Sequence, residues 1–99
     1  MIDDDLSEAV VVFIGKGRTR TPLPDKLRLA REMGDKRAAL LLPQVRAIIA
    51  EMGEIKIDWT RMDLNAATDR AIALIRDLHP ELSDAALDAV DWLYSWSNR

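Results

Sequence analysis

The sequence contains no cysteine, a single histidine and only five aromatic residues. Without cysteine the chain cannot form disulfides, use a thiol nucleophile or bind zinc and iron–sulfur clusters through sulfur. Its longest apolar run near the N-terminus covers residues 9–14, whereas a membrane-spanning helix needs roughly 20 apolar residues. The chain also starts with the acidic Asp3, Asp4 and Asp5, while a signal peptide starts with basic residues. We therefore expect a cytoplasmic protein without a membrane segment.

The sequence also lacks the patterns by which common catalytic and metal sites are recognised. It contains no Gly-x-Ser-x-Gly motif, Walker loop or complete dinucleotide fingerprint. His79 has no second ligand at a metal-binding spacing, and its position before Pro80 indicates a structural role at a helix end. We therefore predict no catalytic residue, no metal and no cofactor, and a protein that is not an enzyme.

The 99 residues are 48% hydrophobic and 31% charged, which predicts one folded domain over residues 1–99. The net charge of −3 conceals an uneven distribution. Residues 16–37, which we call the basic segment, hold eight basic and three acidic residues, a net of +5. Residues 77–98 hold five acidic residues and neither lysine nor arginine. Such a division bears on the choice of partners, although oppositely charged surfaces can also face each other or water.

Glycine and proline divide the rest of the sequence into segments with helical periodicity. We predict a first helix that begins after Asp5, because Asp5 and Glu8 have the spacing of a capping box. The β-branched run at residues 10–14 would also suit a strand, but no partner strand is evident elsewhere. The glycines of the following loop, residues 15–24, end this first helix.

The second and third helices are predicted from glycine stops and from the spacing of apolar residues. The second starts near Pro24, which suits a first helical turn, and stops at Gly34. Its predicted inner face combines Leu23, Leu27, Ala30 and Met33. The third covers residues 36–52 behind an Asp35 cap, and we expect a bend at Pro43 rather than a break. Its apolar residues follow the spacing of a buried stripe, namely Ala38, Leu41, Val45, Ile48 and Met52.

Residues 54–62 alternate apolar and charged side chains, and we predict an extended connector whose apolar side chains fill the core. A fourth helix follows an Asp63 cap and ends at His79, because the next residue, Pro80, disfavours helical geometry before it. Its predicted inner face comprises Leu64, Ala67, Ala71, Leu74, Ile75 and Leu78. Ser83 caps a fifth helix that covers most of the remaining sequence. The predicted fold is all-α, with four to five helices in an orthogonal or bundle-like packing around the apolar C-terminal helix.

The predicted fifth helix carries the surface that best suggests a binding function. Asp84, Asp88 and Asp91 lie at spacings of four and three, so they form one narrow acidic stripe. Trp92 and Trp96 follow it, and aromatic residues are enriched at the centres of protein interfaces. We predict that these five residues bind a protein partner. The alternative is that this helix is the core of the fold and that both tryptophans are buried.

The loop after the first helix is the candidate anion site. Lys16, Arg18 and Arg20 supply three cations, and the neighbouring threonine hydroxyls and glycine N–H groups are typical phosphate ligands. The alternative is that these charged and polar side chains simply face water in a loop that binds no ligand. Nucleic acid is disfavoured as a partner, because the chain is acidic overall and the basic segment contains no aromatic residue.

Three functions of different classes stay open at the level of the sequence. The first is a protein-interaction module whose acidic and aromatic residues bind a basic protein, as an inhibitor, immunity protein or antitoxin would. The alanine- and arginine-rich composition is typical of a bacterial protein. The second is a module that binds phosphate or nucleic acid, in which Arg28 and Arg31 assist the loop. The third is a self-associating structural protein, in which an exposed apolar fifth helix forms a homodimer.

Overall fold

The computed structural model describes residues 1–55 and 60–98, which form five α-helices and no β-strand. The helices are α1 (Asp4–Ile14), α2 (Lys26–Met33), α3 (Asp35–Glu54), α4 (Leu64–Leu78) and α5 (Asp84–Ser97). The all-α prediction is confirmed, and the β-branched run at residues 10–14 is helical. None of these helices is long and apolar enough to cross a membrane.

α1 begins earlier than predicted, because Asp3 rather than Asp5 is its N-cap. The Asp3 carboxylate accepts a hydrogen bond from the N–H of Leu6 at 3.0 Å. The N–H of Asp3 donates to the carbonyl of Glu81 at 2.8 Å, which ties the start of α1 to the connection between α4 and α5. Asp4 and Asp5 therefore lie in the first helical turn, where the helix dipole favours negative charge.

The carbonyls at the end of α1 are all satisfied by the segment that follows, although a helix leaves its last four without helical partners. The donors come from the Gly15, Leu23 and Asp25 backbone and from the Arg28 side chain. They bond the carbonyls of Val11, Ile14, Phe13 and Val12 respectively. The loop and the start of α2 are thereby folded back onto the end of α1.

α2 begins after an Asp25 cap, so Pro24 lies outside the helix and not in its first turn. The predicted inner face is wrong at two of its four positions, since Leu23 and Leu27 are exposed. Leu29 is fully buried in their place. Because leucines occur on both sides of this eight-residue helix, its contacts with α1 and α3 decide which of them are buried.

α3 is one continuous helix of 20 residues that passes through Pro43, as predicted. The predicted buried stripe is confirmed at every position: Ala38, Leu41, Val45, Ile48 and Met52. Pro43 is on the exposed side, where water can bond the carbonyl that loses its helical partner. The ends differ from the prediction. Gly34 occupies the N-cap position that was expected for Asp35, and the helix extends to Glu54.

The extended connector predicted for residues 54–62 is described only in part. Ile55 leaves α3 with extended backbone geometry, and its half-buried side chain packs against the core. Ile57 and Trp59, which were expected to fill the core as well, lie outside the described residues.

The predicted boundaries of α4 and α5 are confirmed. The side chains of Asp63 and Ser83 each accept a hydrogen bond from an N–H in the first turn of the helix that follows. The inner face of α4 is narrower than predicted, because Leu74 and Leu78 are exposed. Its buried residues are Ala67, Thr68, Ala71 and Ile75. α4 has packing neighbours only in α3 and α5 among the described helices, so a single stripe of its surface is covered.

The apolar C-terminal helix lies at the centre of the fold, as predicted, and shares that position with α1. These two helices pack directly against each other, α4 covers another side of α5, and α2 and α3 cover the other sides of α1. Buried on α5 are Ala86, Leu87, Ala89, Val90, Leu93 and Tyr94. A hydrogen bond of 2.9 Å from the N–H of Ser83 to the hydroxyl of Ser7 joins the starts of the two central helices. The apolar face of α5 is thus largely used inside the fold.

Candidate protein-binding surface

Carboxylates from α4 and α5 line a groove of about 380 Å³ between these two helices. We call this cavity the acidic groove, and its four carboxylates are those of Asp69, Asp77, Asp88 and Asp91. Apolar atoms of Ile72, Ala73 and Leu87 also line it, and Arg76 is its one described cation. The groove therefore combines a negative rim with apolar surface, which is a combination that suits a basic, partly apolar segment of another protein.

Two of the four groove carboxylates, Asp69 and Asp77, were not identified from the sequence. The acidic stripe predicted from the sequence lies on α5 alone, whereas both of these residues belong to α4. They share a helix face with Ile72, Ala73 and Arg76, so a search for charged faces beside the apolar stripe of α4 would have found them. Only the packing of α4 on α5 shows that the two acidic faces meet.

The five predicted partner-binding residues are only partly brought together. Asp88, Asp91 and Trp92 lie side by side around a shallow depression that adjoins the acidic groove. Asp84 lies at the start of α5 outside both cavities, with its carboxylate 3.7 Å from Nη2 of Arg76. Trp96 is 41% exposed and lines neither cavity. The part of the predicted surface that lines these cavities is therefore the middle of α5.

The groove carboxylates have no ion-pair partner within residues 1–55 and 60–98. For Asp91 this has a consequence for its protonation. Partial burial raises the pKa of its carboxyl above the usual range, and the negative charges of Asp69 and Asp88 raise that pKa further, against an opposing effect of Lys16. The ionised form of Asp91 is thus disfavoured by its surroundings and would be stabilised by a cation from outside.

Replacing Asp91 with asparagine is expected to stabilise the protein at pH 7. Since the raised pKa makes the carboxyl harder to ionise in the folded than in the unfolded chain, ionised Asp91 reduces stability above its folded-state pKa. That cost disappears when both states are protonated, below about pH 4. Urea unfolding should therefore give Asp91→Asn a higher free energy of unfolding than the wild type at pH 7. The difference should become smaller as the pH is lowered.

Asp84→Asn is the matched control for this measurement. Asp84 lies in the favourable first turn of α5 and near Arg76, so its replacement should leave stability unchanged or slightly lower at pH 7. A wild-type protein as stable as Asp91→Asn at pH 7 would contradict the proposed cost of this partly buried charge.

The loop cation Lys16 contacts Trp92. Its ammonium lies 5.0 Å from the centroid of the half-buried indole ring, which is the geometry of a cation–π contact. Lys16 and Trp92 line the depression of about 340 Å³ together with Asp88, Asp91 and Ser95. From the sequence, Lys16 was predicted to belong to the anion site and Trp92 to the partner-binding surface. The structure combines them, because the end of α1 packs beside α5.

The second loop cation, Arg18, is paired within the fold. Its Nε and Nη2 donate to the two carboxylate oxygens of Glu32 on α2, at 2.9 and 2.8 Å, and its Nη1 donates to the Lys16 carbonyl at 2.9 Å. These hydrogen bonds lower the pKa of the Glu32 carboxyl. Arg20 is exposed and forms no ion pair with another described residue. Of the three cations predicted to bind an anion, one therefore contacts an aromatic ring and one a carboxylate.

Arg28, which was expected to assist the loop in anion binding, is buried and structural. Only 7% of its surface is exposed. Its Nη1 lies 3.0 Å from the carbonyl oxygen of Leu23, and 3.3 and 3.4 Å from those of Val12 and Phe13. Its Nη2 lies 4.0 Å from the Asp25 carboxylate. The guanidinium thus joins the end of α1, the loop and α2, and its contacts are with carbonyl and carboxylate groups of the fold.

His79 has the structural position that was predicted from its place before Pro80. Its Nε2 bonds the carboxylate of Glu51 on α3, and its Nδ1 lies 3.4 Å from that of Glu81. Because the two ring nitrogens point in different directions, these carboxylates cannot converge with the ring on one metal ion. Across the described ranges no group of three or more possible ligands is placed to hold a metal.

Comparison with protein families, with curated proteins and with solved structures finds no match for the chain.

Proposed function

We propose that the protein is an interaction module that binds a basic protein partner through the acidic groove and the adjoining Trp92. The observation that carries this proposal is that the four groove carboxylates are not neutralised within the described fold, whereas three cations of the basic segment are engaged. Arg18 pairs with Glu32, Arg28 is buried, and Arg37 pairs with Asp5 at 2.6 Å. The four groove carboxylates have no such partner among the described residues. Within the groove, where Arg76 is the one described cation, the charge that is available to a partner is therefore negative.

The chemistry of the groove supports a protein as the ligand. A lysine- or arginine-bearing helix or extended segment could pair with the rim while its apolar side chains cover Ile72, Ala73 and Leu87. The negative field would also speed the encounter with a basic partner. An inhibitor, immunity protein or antitoxin that neutralises a basic nuclease would act through a surface of this kind. We propose the cytoplasm of a bacterium as its compartment, since the absence of cysteine fits a reducing environment.

The other two hypotheses have less support. Anion binding by the basic segment would have to use the cations that remain after Arg18 and Arg28 are engaged. Self-association through α5 would need its apolar face, which is largely covered by α1 and α4.

The test is charge reversal in the groove. Asp88→Lys with Asp91→Lys should reduce capture of a partner from lysate of the source cells at least about tenfold, because two attractions become repulsions and each is worth up to about 1 kcal/mol. The control is Asp4→Lys with Glu54→Lys, which changes the net charge equally at two exposed positions outside the groove. The control variant should retain the partner. Washing with 0.5 M salt should release the partner from it. Equal capture by both double variants would reject the proposal.

A further inference from the structure

The middle of α5 already holds a cation from its own chain, and we infer that Lys16 occupies the place where the basic partner inserts an arginine side chain. Lys16 and the partner would then compete for the face of Trp92. This inference rests on the proposed function, and it names the chemical group that the surface recognises.

The depression has the components of an arginine site. The Trp92 ring offers a flat face, and tryptophan is the aromatic side chain that attracts cations most strongly. The carboxylates of Asp88 and Asp91 line the same depression. A guanidinium can stack on an aromatic ring and donate to a neighbouring carboxylate at once, because it is planar and has donors along its edge. An ammonium is a compact point charge without that planar fork, so arginine fits the combination better than lysine does.

The contact that Lys16 makes is suited to displacement. Its side chain is exposed and forms no ion pair with a described residue, and an exposed cation–π contact is weak. The backbone at the same position is anchored, since the Lys16 carbonyl accepts a hydrogen bond from Arg18, which is itself held by Glu32. Release therefore requires only rotation of the Lys16 side chain, while the loop stays in place.

Lys16 also opposes the rise in the Asp91 pKa. In the free protein it thus compensates part of the negative charge that the partner would neutralise in the complex. A cation bound from outside would take over both the ring contact and this electrostatic role.

The experiment measures binding of a fluorescein-labelled, arginine-rich helical peptide to the full chain by anisotropy. Lys16→Ala should bind the peptide more tightly than the wild type does. Its gain in affinity should exceed any gain in Arg20→Ala by about two- to fivefold, which is the change in affinity that corresponds to the loss of an exposed cation–π contact. Arg20→Ala is the matched control, because it removes the same charge from the same loop at a residue outside the depression. It measures the general effect of lower positive charge.

A second readout follows Lys16 itself by NMR. Its ε-methylene group is bonded to the ammonium that lies 5.0 Å from the centroid of the Trp92 ring, so the ring current should shift these protons in the free wild-type protein. Adding the peptide should return them to the values of a solvated lysine. Resonances that stay shifted at saturation would overturn the inference, since the side chain would not have been displaced.

The outcomes separate the two proposals. If Asp88→Lys with Asp91→Lys weakens peptide binding but Lys16→Ala gains no more than Arg20→Ala, the acidic surface stands and the role of Lys16 is rejected. Weaker binding by Lys16→Ala also rejects that role, because Lys16 would then contribute to the complex. If the double reversal binds the peptide as well as the wild type does, the proposed function fails and the inference fails with it.

Discussion

Replacing Gly15 with alanine is expected to lower the free energy of unfolding by about 3 kcal/mol. Gly15 has a φ of +96°, in the left-handed region where a side chain costs roughly 1–2 kcal/mol. An added Cβ would also lie 2.7 Å from Nη1 of Arg28 and 2.8 Å from Oγ1 of Thr19. The guanidinium would have to move, and its hydrogen bonds to the carbonyls at the end of α1 would be weakened.

Gly17→Ala separates the two effects. Gly17 has a φ of +80°, but nothing lies within 4 Å of its added Cβ, so only the backbone cost of roughly 1–2 kcal/mol is expected. Thermal unfolding followed by circular dichroism should show Gly15→Ala melting roughly 12–24 °C below the wild type, at about 4–8 °C for each kcal/mol. Equal losses in the two variants would show that the close approach to Arg28 is unimportant.

Arg28→Met is expected to cost about 3 kcal/mol as well, because it removes a charged donor and leaves the carbonyls of Val12 and Leu23 without a partner among the described residues. Methionine keeps most of the length of the side chain, so the loss reports the guanidinium rather than a cavity. Urea unfolding measures the difference. The buried carbonyl of Val12 should be the most affected, because no other donor among the described residues bonds it.

The matched control is Arg31→Met, which removes the same charge from an exposed position on the same helix. It should change stability by no more than about 0.5 kcal/mol. Combining Arg28→Met with Gly15→Ala should cost less than the two single losses together, because part of the alanine effect acts through the guanidinium. Full additivity, or a loss in Arg28→Met no greater than in Arg31→Met, would contradict this account.

Local sequence patterns predicted those parts of the fold whose residues act within one helix. The stripe from Ala38 to Met52 is spaced so regularly that only one helix face could be buried. Asp63 and Ser83 each follow an apolar residue and are the first good caps at the positions where their helices begin. At the start of α1 three aspartates follow one another, and all are good caps. The choice of Asp3 depends on a hydrogen bond with Glu81, which is distant in sequence.

The features that could not be predicted depend on contacts between distant residues. Arginine is rarely buried, so nothing in the local pattern separates Arg28 from the exposed Arg31. The burial of Arg28 depends on carbonyls that α1 leaves without helical partners. The candidate surface is a similar case. The sequence identified Asp88, Asp91 and Trp92, but Lys16 joins them only because α1 ends beside α5.

The pairing of α1 with α5 also determines when the protein can fold during its synthesis. The apolar residues of α1 emerge from the ribosome before α5, the helix that covers one side of them, because α5 is made only after α2, α3 and α4. Until then the nascent chain presents an uncovered apolar surface to chaperones and to other chains. We expect folding to be completed only after α5 has been translated, and to be slower than in a bundle whose helices pair only with their neighbours in sequence.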